Sequence, residues 1–497
     1  MRVNTDLEEL IASLSGSEKR YFRLFSSLNS GNQDKNTIAL FDNIAHKENQ
    51  SIHLSKKQLS NARHTLYKSI LNSLKNFYAG KSLDSYFYQE LESIRILFKK
   101  DLLNKCGSRL QALKKQAYLY EQHRVLLEIF HLEKNLIYLS NSKKDILKKA
   151  PEVYSQEGKV IKAIENLHQY KLLTNEMNTI FSLGLETNAL SLSKKTEQLT
   201  NNPYIKNKKM ALSNIALDHY YALKSTIFYL KNDLDNAIIL CEDRILNWEK
   251  NKIKIDGYFS RYLLALNNAL DIYFMQHNQG KAQQIIQKIK NLYSRLNTSK
   301  YFIHNQRAEV NFLYFNELRY YINFNFYNEA EKLIPTITNN LSTLRGVNRV
   351  SERTYFYQFA LIYFIQNKFE ASLEWINKLL YDSNNRLKQA QAKFEILNLL
   401  VHFELKNYRL LEHLTLKNLK RKDLLKSEKK VLEFFKSFLL SAKNQPKNYN
   451  LLLSHLQSYQ SDKHEQDLIT SSKLIPWVKS KLQGKTMLEV LGNEFAK

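Results

Sequence analysis

Glycine and proline are scarce in this chain, 11 and 5 among 497 residues. So few breakers argue against an architecture of tight turns, and Asn-Gly pairs of the β-hairpin kind are almost missing. Cysteine is scarcer still. Cys106 and Cys241 stand far apart, neither with a Cys or His at ligand spacing, so no zinc site is expected and both read as small core residues of a reduced protein. Long apolar runs are also lacking: the richest, Tyr355 to Ile365, is interrupted by Gln358 and is too short to span a bilayer. Met1-Arg2-Val3-Asn4-Thr5-Asp6 has no apolar core of a secretory signal, so a cytoplasmic chain with no membrane span is expected.

Catalytic signatures are missing as well. Gly484-Lys485-Thr486 matches the end of a phosphate-binding loop, but Lys479 stands where that loop needs glycine and no strand precedes it. The 13 histidines are scattered, with no His-Glu-x-x-His helix and no Gly-x-Ser-x-Gly elbow. The expectation is a non-enzymatic protein with no cofactor and no metal.

What the chain does contain is helix-forming and basic. Leu, Lys, Glu, Gln, Tyr and Phe dominate, 43% of residues are apolar, and the fold class is all-α. The net charge is +26 and the pI about 9.6. That balance suits a nucleic-acid or acidic partner. Codon bias towards Lys, Asn, Ile and Tyr produces the same balance without any such partner.

The clearest pattern is a polar phrase that recurs between apolar helical runs. It reads Leu230-Lys231-Asn232-Asp233-Leu234-Asp235-Asn236-Ala237, then Gln276-His277-Asn278-Gln279-Gly280-Lys281-Ala282. Asn323 to Ala330 and Gln366-Asn367-Lys368-Phe369-Glu370-Ala371 repeat it, and Leu405-Lys406-Asn407-Tyr408 is a weaker copy. From Asn232 through Asn278, Asn325 and Asn367 to Asn407, the steps are about 46, 47, 42 and 40 residues. Each Asn is suited to a left-handed residue that ends one helix, and each Ala to a close approach by the next.

The phrase resembles the turn of tetratricopeptide repeats (TPR), where a Gly-Asp-Tyr-type segment precedes an Ala that opens the second helix. Asn367-Lys368-Phe369-Glu370-Ala371 is the nearest copy, and the resemblance covers roughly residues 210–440. The period exceeds the usual repeat of about 34 residues, and the closing proline is missing, so HEAT-like stacking stays open. The resemblance implies an α-solenoid of stacked antiparallel hairpins that binds a protein or peptide on its concave face, as a scaffold or adaptor.

The expected organisation is an N-terminal helical domain over 1–80, irregular hairpins over 81–200, repeats over 201–440 and a helical cap over 441–497. Within the first, Ser15 to Glu18 and Ser55 to Gln58 are capping boxes, with Leu54 and Leu59 placed as a hydrophobic staple on the second. The helix that follows carries an apolar stripe of Leu59, Ala62, Leu66, Ile70, Leu74 and Phe77. Lys57, Arg63 and Lys68 lie on it outside that stripe, so it is either a solvated capping helix or a DNA-reading helix. Pro151 is expected to open a helix, followed by a long polar stretch with Ile161, Ile164, Leu167, Leu172 and Leu173 as its apolar positions.

Two surface groups are the candidate sites. Arg319, Tyr320, Arg345, Arg349 and Arg353 fit a groove for an acidic peptide or stacked bases. Lys417, Lys420, Arg421 and Lys422 begin a basic stretch suited to phosphates or an acidic partner, or simply to solvent.

Overall fold

A computed structural model describes residues 6–28, 34–46, 55–140, 143–183, 196–296, 313–343, 349–380, 388–440, 445–459 and 462–495. Among the described residues there is no strand, and successive helices pack on one another along the chain. The fold is all-α and solenoid-like. It divides into two compact units: Met1–Ile272 with Asn291–His304, and Tyr273–Lys290 with Asn305–Lys497. The division falls inside the stretch that the sequence presents as one run of repeats.

The first unit opens with helices Asp6–Ser13, Gly16–Leu28, Asp34–His46 and Lys56–Phe77. Phe22, Phe41, Leu66 and Ile70 form their core. Both expected capping boxes are present: the Glu18 carboxylate accepts from Ser15 N at 2.6 Å, and Gln58 Oε1 accepts from Ser55 N at 2.9 Å. Leu54 lies outside the described residues, and Leu59 is 37% exposed rather than buried. The burying stripe of this helix is centred on Leu66, Ile70 and Ser73.

Helices Leu83–Lys99, Leu103–Leu119, His123–Leu139 and Lys143–Leu183 follow, each packed against the next. Cys106 sits fully buried in their core. Pro151 does not open a helix but lies inside Lys143–Leu183. It has no N–H for the Leu147 carbonyl, and Leu147 is 78% exposed, which leaves that carbonyl at the solvent side of the helix. Of the apolar positions there, Leu173 is buried, and Ile164 and Leu167 are half-buried against the core. Ile161 and Leu172 are 44% and 46% exposed, whereas Val160, Ala163, Tyr170, Met177 and Ile180 are buried. Helices Asn214–Leu230, Leu234–Lys250 and Phe259–Met275 come next, with Cys241 buried in the second.

Helices of the second unit include Phe315–Asn323, Tyr327–Thr343, Arg349–Ile365, Phe369–Leu380, Lys388–Glu404, Tyr408–Leu419 and Lys426–Leu440. Among the described residues, one core cluster takes in buried side chains from Leu318 to Leu491. Gln445–Ser458 carries Pro446 in its first turn, where proline is tolerated. Lys463–Ser471, Leu474–Gln483 and Met487–Phe495 close the chain.

The recurring turns share one geometry. Asp101, Glu121, Asn232, His277, Asn325, Asn367 and Lys406 all have positive φ, between 51° and 62°. At each, the next residue's N–H reaches back to the carbonyl five residues earlier: Leu102 to Leu97, Gln122 to Ala117, Asp233 to Phe228, Asn278 to Tyr273, Phe326 to Tyr321, Lys368 to Tyr363 and Asn407 to His402. This is the Schellman closure of a helix C-terminus. The residue five positions after each left-handed one is fully buried: Cys106, Leu126, Ala237, Ala282, Ala330, Ser372 and Leu411. The left-handed residue is thus the register mark, and it precedes the expected Asn at Asn278 and Asn407. In the nearest copy of the phrase, the close contact is made by Ser372, whose hydroxyl donates to Ala360 O at 2.7 Å, and Ala371 is only half-buried.

Candidate functional site

The candidate groove residues have different fates. Tyr320 is buried, 6% exposed, with rings of Tyr321, Phe324 and Phe326 around it. Arg319 reaches the surface and lies over the rings of Phe274 and Phe315, 5.2 and 5.5 Å from their centroids. Arg353 lies 5.6 Å over Phe394. Such stacking holds a guanidinium in place through its planar face. Arg349 begins its helix, and Arg345 lies outside the described residues.

The basic candidates divide similarly. Lys57 and Lys68 are exposed and make no ion pair among the described residues, but Arg63 is held by Glu8 at 2.6 Å. Lys417, Lys420 and Lys422 are exposed and unpaired among the described residues. Arg421 is structural: its guanidinium bonds Glu395, and also Glu428 at 2.8 Å and Asp423 at 3.2 Å. The stretch does not form one helical face. Lys417 ends Tyr408–Leu419, the next residues turn, and Lys426 begins another helix.

Gly484-Lys485-Thr486 lies beside a cavity of about 410 Å³ whose lining includes Phe364, Trp477, Lys481 and Glu404. The Glu404 carboxylate accepts from Trp477 Nε1 at 2.7 Å and from Lys481 Nζ at 2.6 Å. Thr486 caps the helix Met487–Phe495, and its own N–H goes to Glu489 at 2.7 Å. The donor that a phosphate would seek is therefore already given to a side chain, and the segment serves as a helix cap.

The most developed polar constellation lies in the first unit and was not anticipated. Asp218, fully buried on Asn214–Leu230, accepts from Arg244 Nε at 2.6 Å and Nη2 at 3.0 Å, and from Trp248 Nε1 at 2.7 Å. Burial alone pushes the Asp218 carboxyl up, but Arg244, the hydrogen bonds and Arg261 outweigh it and hold the pKa below the usual range. Arg261 Nη1 donates to the other face of this pair, 3.2 Å from Asp218 Oδ2. Its Nη2 lies 3.1 Å from His219 Nε2, and His219 Nδ1 lies 2.8 Å from Thr174 Oγ1. Thr174 donates onward to Tyr170 O at 2.8 Å.

These contacts define one protonation state. Arg261 can only donate, so His219 Nε2 accepts and Nδ1 carries the proton, which it gives to Thr174. Burial, then Arg261, lowers the imidazole pKa to about 4, so it stays neutral. The adjacent Asp218-His219 pair in an otherwise apolar helix, Leu217 to Tyr221, is the sequence signal for this network. Nearby, Glu121 is satisfied in full. It accepts from Asn214 N and Ile215 N at 3.0 and 3.1 Å, capping that helix, and from Lys254 at 2.8 Å.

Among the described residues, no group of three His, Cys, Asp or Glu side chains is placed to hold a metal ion. No described helix is long and apolar enough to cross a membrane. The chain matches no protein-family model, no curated protein and no solved structure.

Proposed function

We propose that the chain is a non-enzymatic, TPR-like helical-repeat adaptor that captures a protein partner on the concave face of the repeats in its second unit. The observation that carries this reading is the identical left-handed turn, repeated with a buried residue five positions on. Helices stacked in that way bury a continuous core and offer side chains of successive helices to one ligand. Arg319 and Arg353, each half-buried and braced on an aromatic ring, are the anchors of this reading; Tyr320 serves the core.

Capture from a nuclease-treated extract tests the proposal. One protein should be retained by the wild-type chain and lost with Arg319→Ala/Arg353→Ala, while thermal unfolding stays cooperative in both. Equal retention by the two chains contradicts this surface.

A second reading, nucleic-acid binding, draws on one observation. Lys56–Phe77 contains no Asp or Glu, and Lys57, Asn61, His64 and Lys68 are all exposed along it. That face suits phosphates and base edges.

A further inference from the structure

We propose that Arg124, Lys171 and Arg261 form an oxyanion-binding site in the first unit, with a phosphate group as its ligand. The site does not depend on the adaptor reading, because it rests on different residues.

Helix register brings the three cations together. Lys171 lies one turn before Thr174 on Lys143–Leu183, Thr174 holds His219, and His219 holds Arg261. His123–Leu139 packs on Lys143–Leu183, and Arg124 in its first turn lies one turn on from Glu121, which accepts from Asn214 N and Ile215 N at the start of the helix that carries His219. Arg124 and Lys171 are exposed and make no ion pair among the described residues. The carboxylates nearest to hand are committed elsewhere: Asp218 to Arg244 and Trp248, Glu121 to Lys254 and a helix N-terminus. Arg261 gives one N–H to Asp218 and one to His219, which leaves three of its five N–H donors for a ligand, and its side chain is 28% exposed.

The charge is unbalanced. Arg244 and Arg261 share the single charge of Asp218, His219 is neutral, and Arg124 and Lys171 add two further cations. The crowding is felt at Lys171: burial, then Arg124 and Arg261, lowers its ammonium pKa from the usual value. The buried network fixes Arg261, and two packed helices carry Arg124 and Lys171, so much of the cost of assembling like charges is met in folding. A phosphate dianion neutralises two of the three at once and accepts the guanidinium fork, which one carboxylate does only in part.

Acetylation of Lys171 by acetic anhydride, followed site by site in the full chain by mass spectrometry, tests this. Inorganic phosphate should slow labelling of Lys171 several-fold over chloride at equal ionic strength, and leave labelling of Lys68 unchanged. Arg124→Gln, an exposed substitution that leaves the fold intact, should abolish the protection. A phosphoserine peptide that protects at lower concentration than inorganic phosphate identifies a phosphorylated partner as the source; equal protection identifies free phosphate. Identical labelling of Lys171 in phosphate and chloride, protection that survives Arg124→Gln, or protection by acetate equal to that by phosphate each overturns the proposal.

Discussion

Asp218 and His219 show how much depends on individual side chains in a helical stack. Their helix is otherwise apolar on its packing faces, and the two polar residues are accepted because each finds partners within 3.2 Å. His219 makes stability depend on pH in a definite direction. The folded chain binds the imidazole proton only near pH 4, whereas an unfolded chain binds it near 6.5. The contribution is intact above the unfolded value and is lost as pH falls through this window, by roughly 3 kcal/mol at most. His219→Gln keeps an amide for Arg261 and Thr174 but removes the titration. Urea unfolding between those pH values should therefore show a shallower loss of stability in the variant, and parallel losses would contradict the assignment. Residue identity was only partly legible from sequence. Cys106 and Cys241 are core residues as their helical context suggests. Tyr320 instead packs across the turn on Phe326, and Arg421 pairs with Glu395 on another helix, contacts that a linear reading does not display.

At the level of elements, the turns carry the most information. The recurring Asn marked the repeats, and three of the five Asn residues, Asn232, Asn325 and Asn367, occupy the left-handed position. In the other two copies the position belongs to His277 and Lys406, and the turns at Asp101 and Glu121 use no Asn at all. The backbone requirement is a positive φ, which Asn satisfies better than most side chains but does not monopolise. Lys406→Gly should therefore stabilise the chain by about 0.5–1 kcal/mol, since glycine adopts this conformation without steric cost and Lys406 is exposed. Ala330→Leu, five residues after Asn325, should cost about 1–3 kcal/mol, because the site is fully buried and the added volume separates two helices. Urea midpoints of both variants check the register; a neutral Ala330→Leu would show that the small residue is incidental. The helix through Pro151 was misplaced for a related reason: proline at an exposed interior position mimics a helix start when only sequence is read.

The all-α class was legible across the whole molecule, because periodic apolar runs and the dearth of glycine and proline leave few other solutions. The division after Ile272 was not, since no linker composition marks it. Charge is the remaining molecular property. With a net +26, cations outnumber carboxylates, and Lys57, Lys68, Lys417, Lys420 and Lys422 are exposed and make no ion pair among the described residues. Their dispersal over separate helices favours solvation and capture of a protein partner over a continuous track for a nucleic-acid backbone. The most direct measurement is titration of the nucleic-acid-free protein with labelled DNA and RNA at low and at physiological salt. The account predicts weak association at low salt that disappears at physiological ionic strength and is indifferent to Lys57→Glu/Lys68→Glu. Tight binding that persists there and is lost with that double substitution would contradict it, and would make Lys56–Phe77 the functional face.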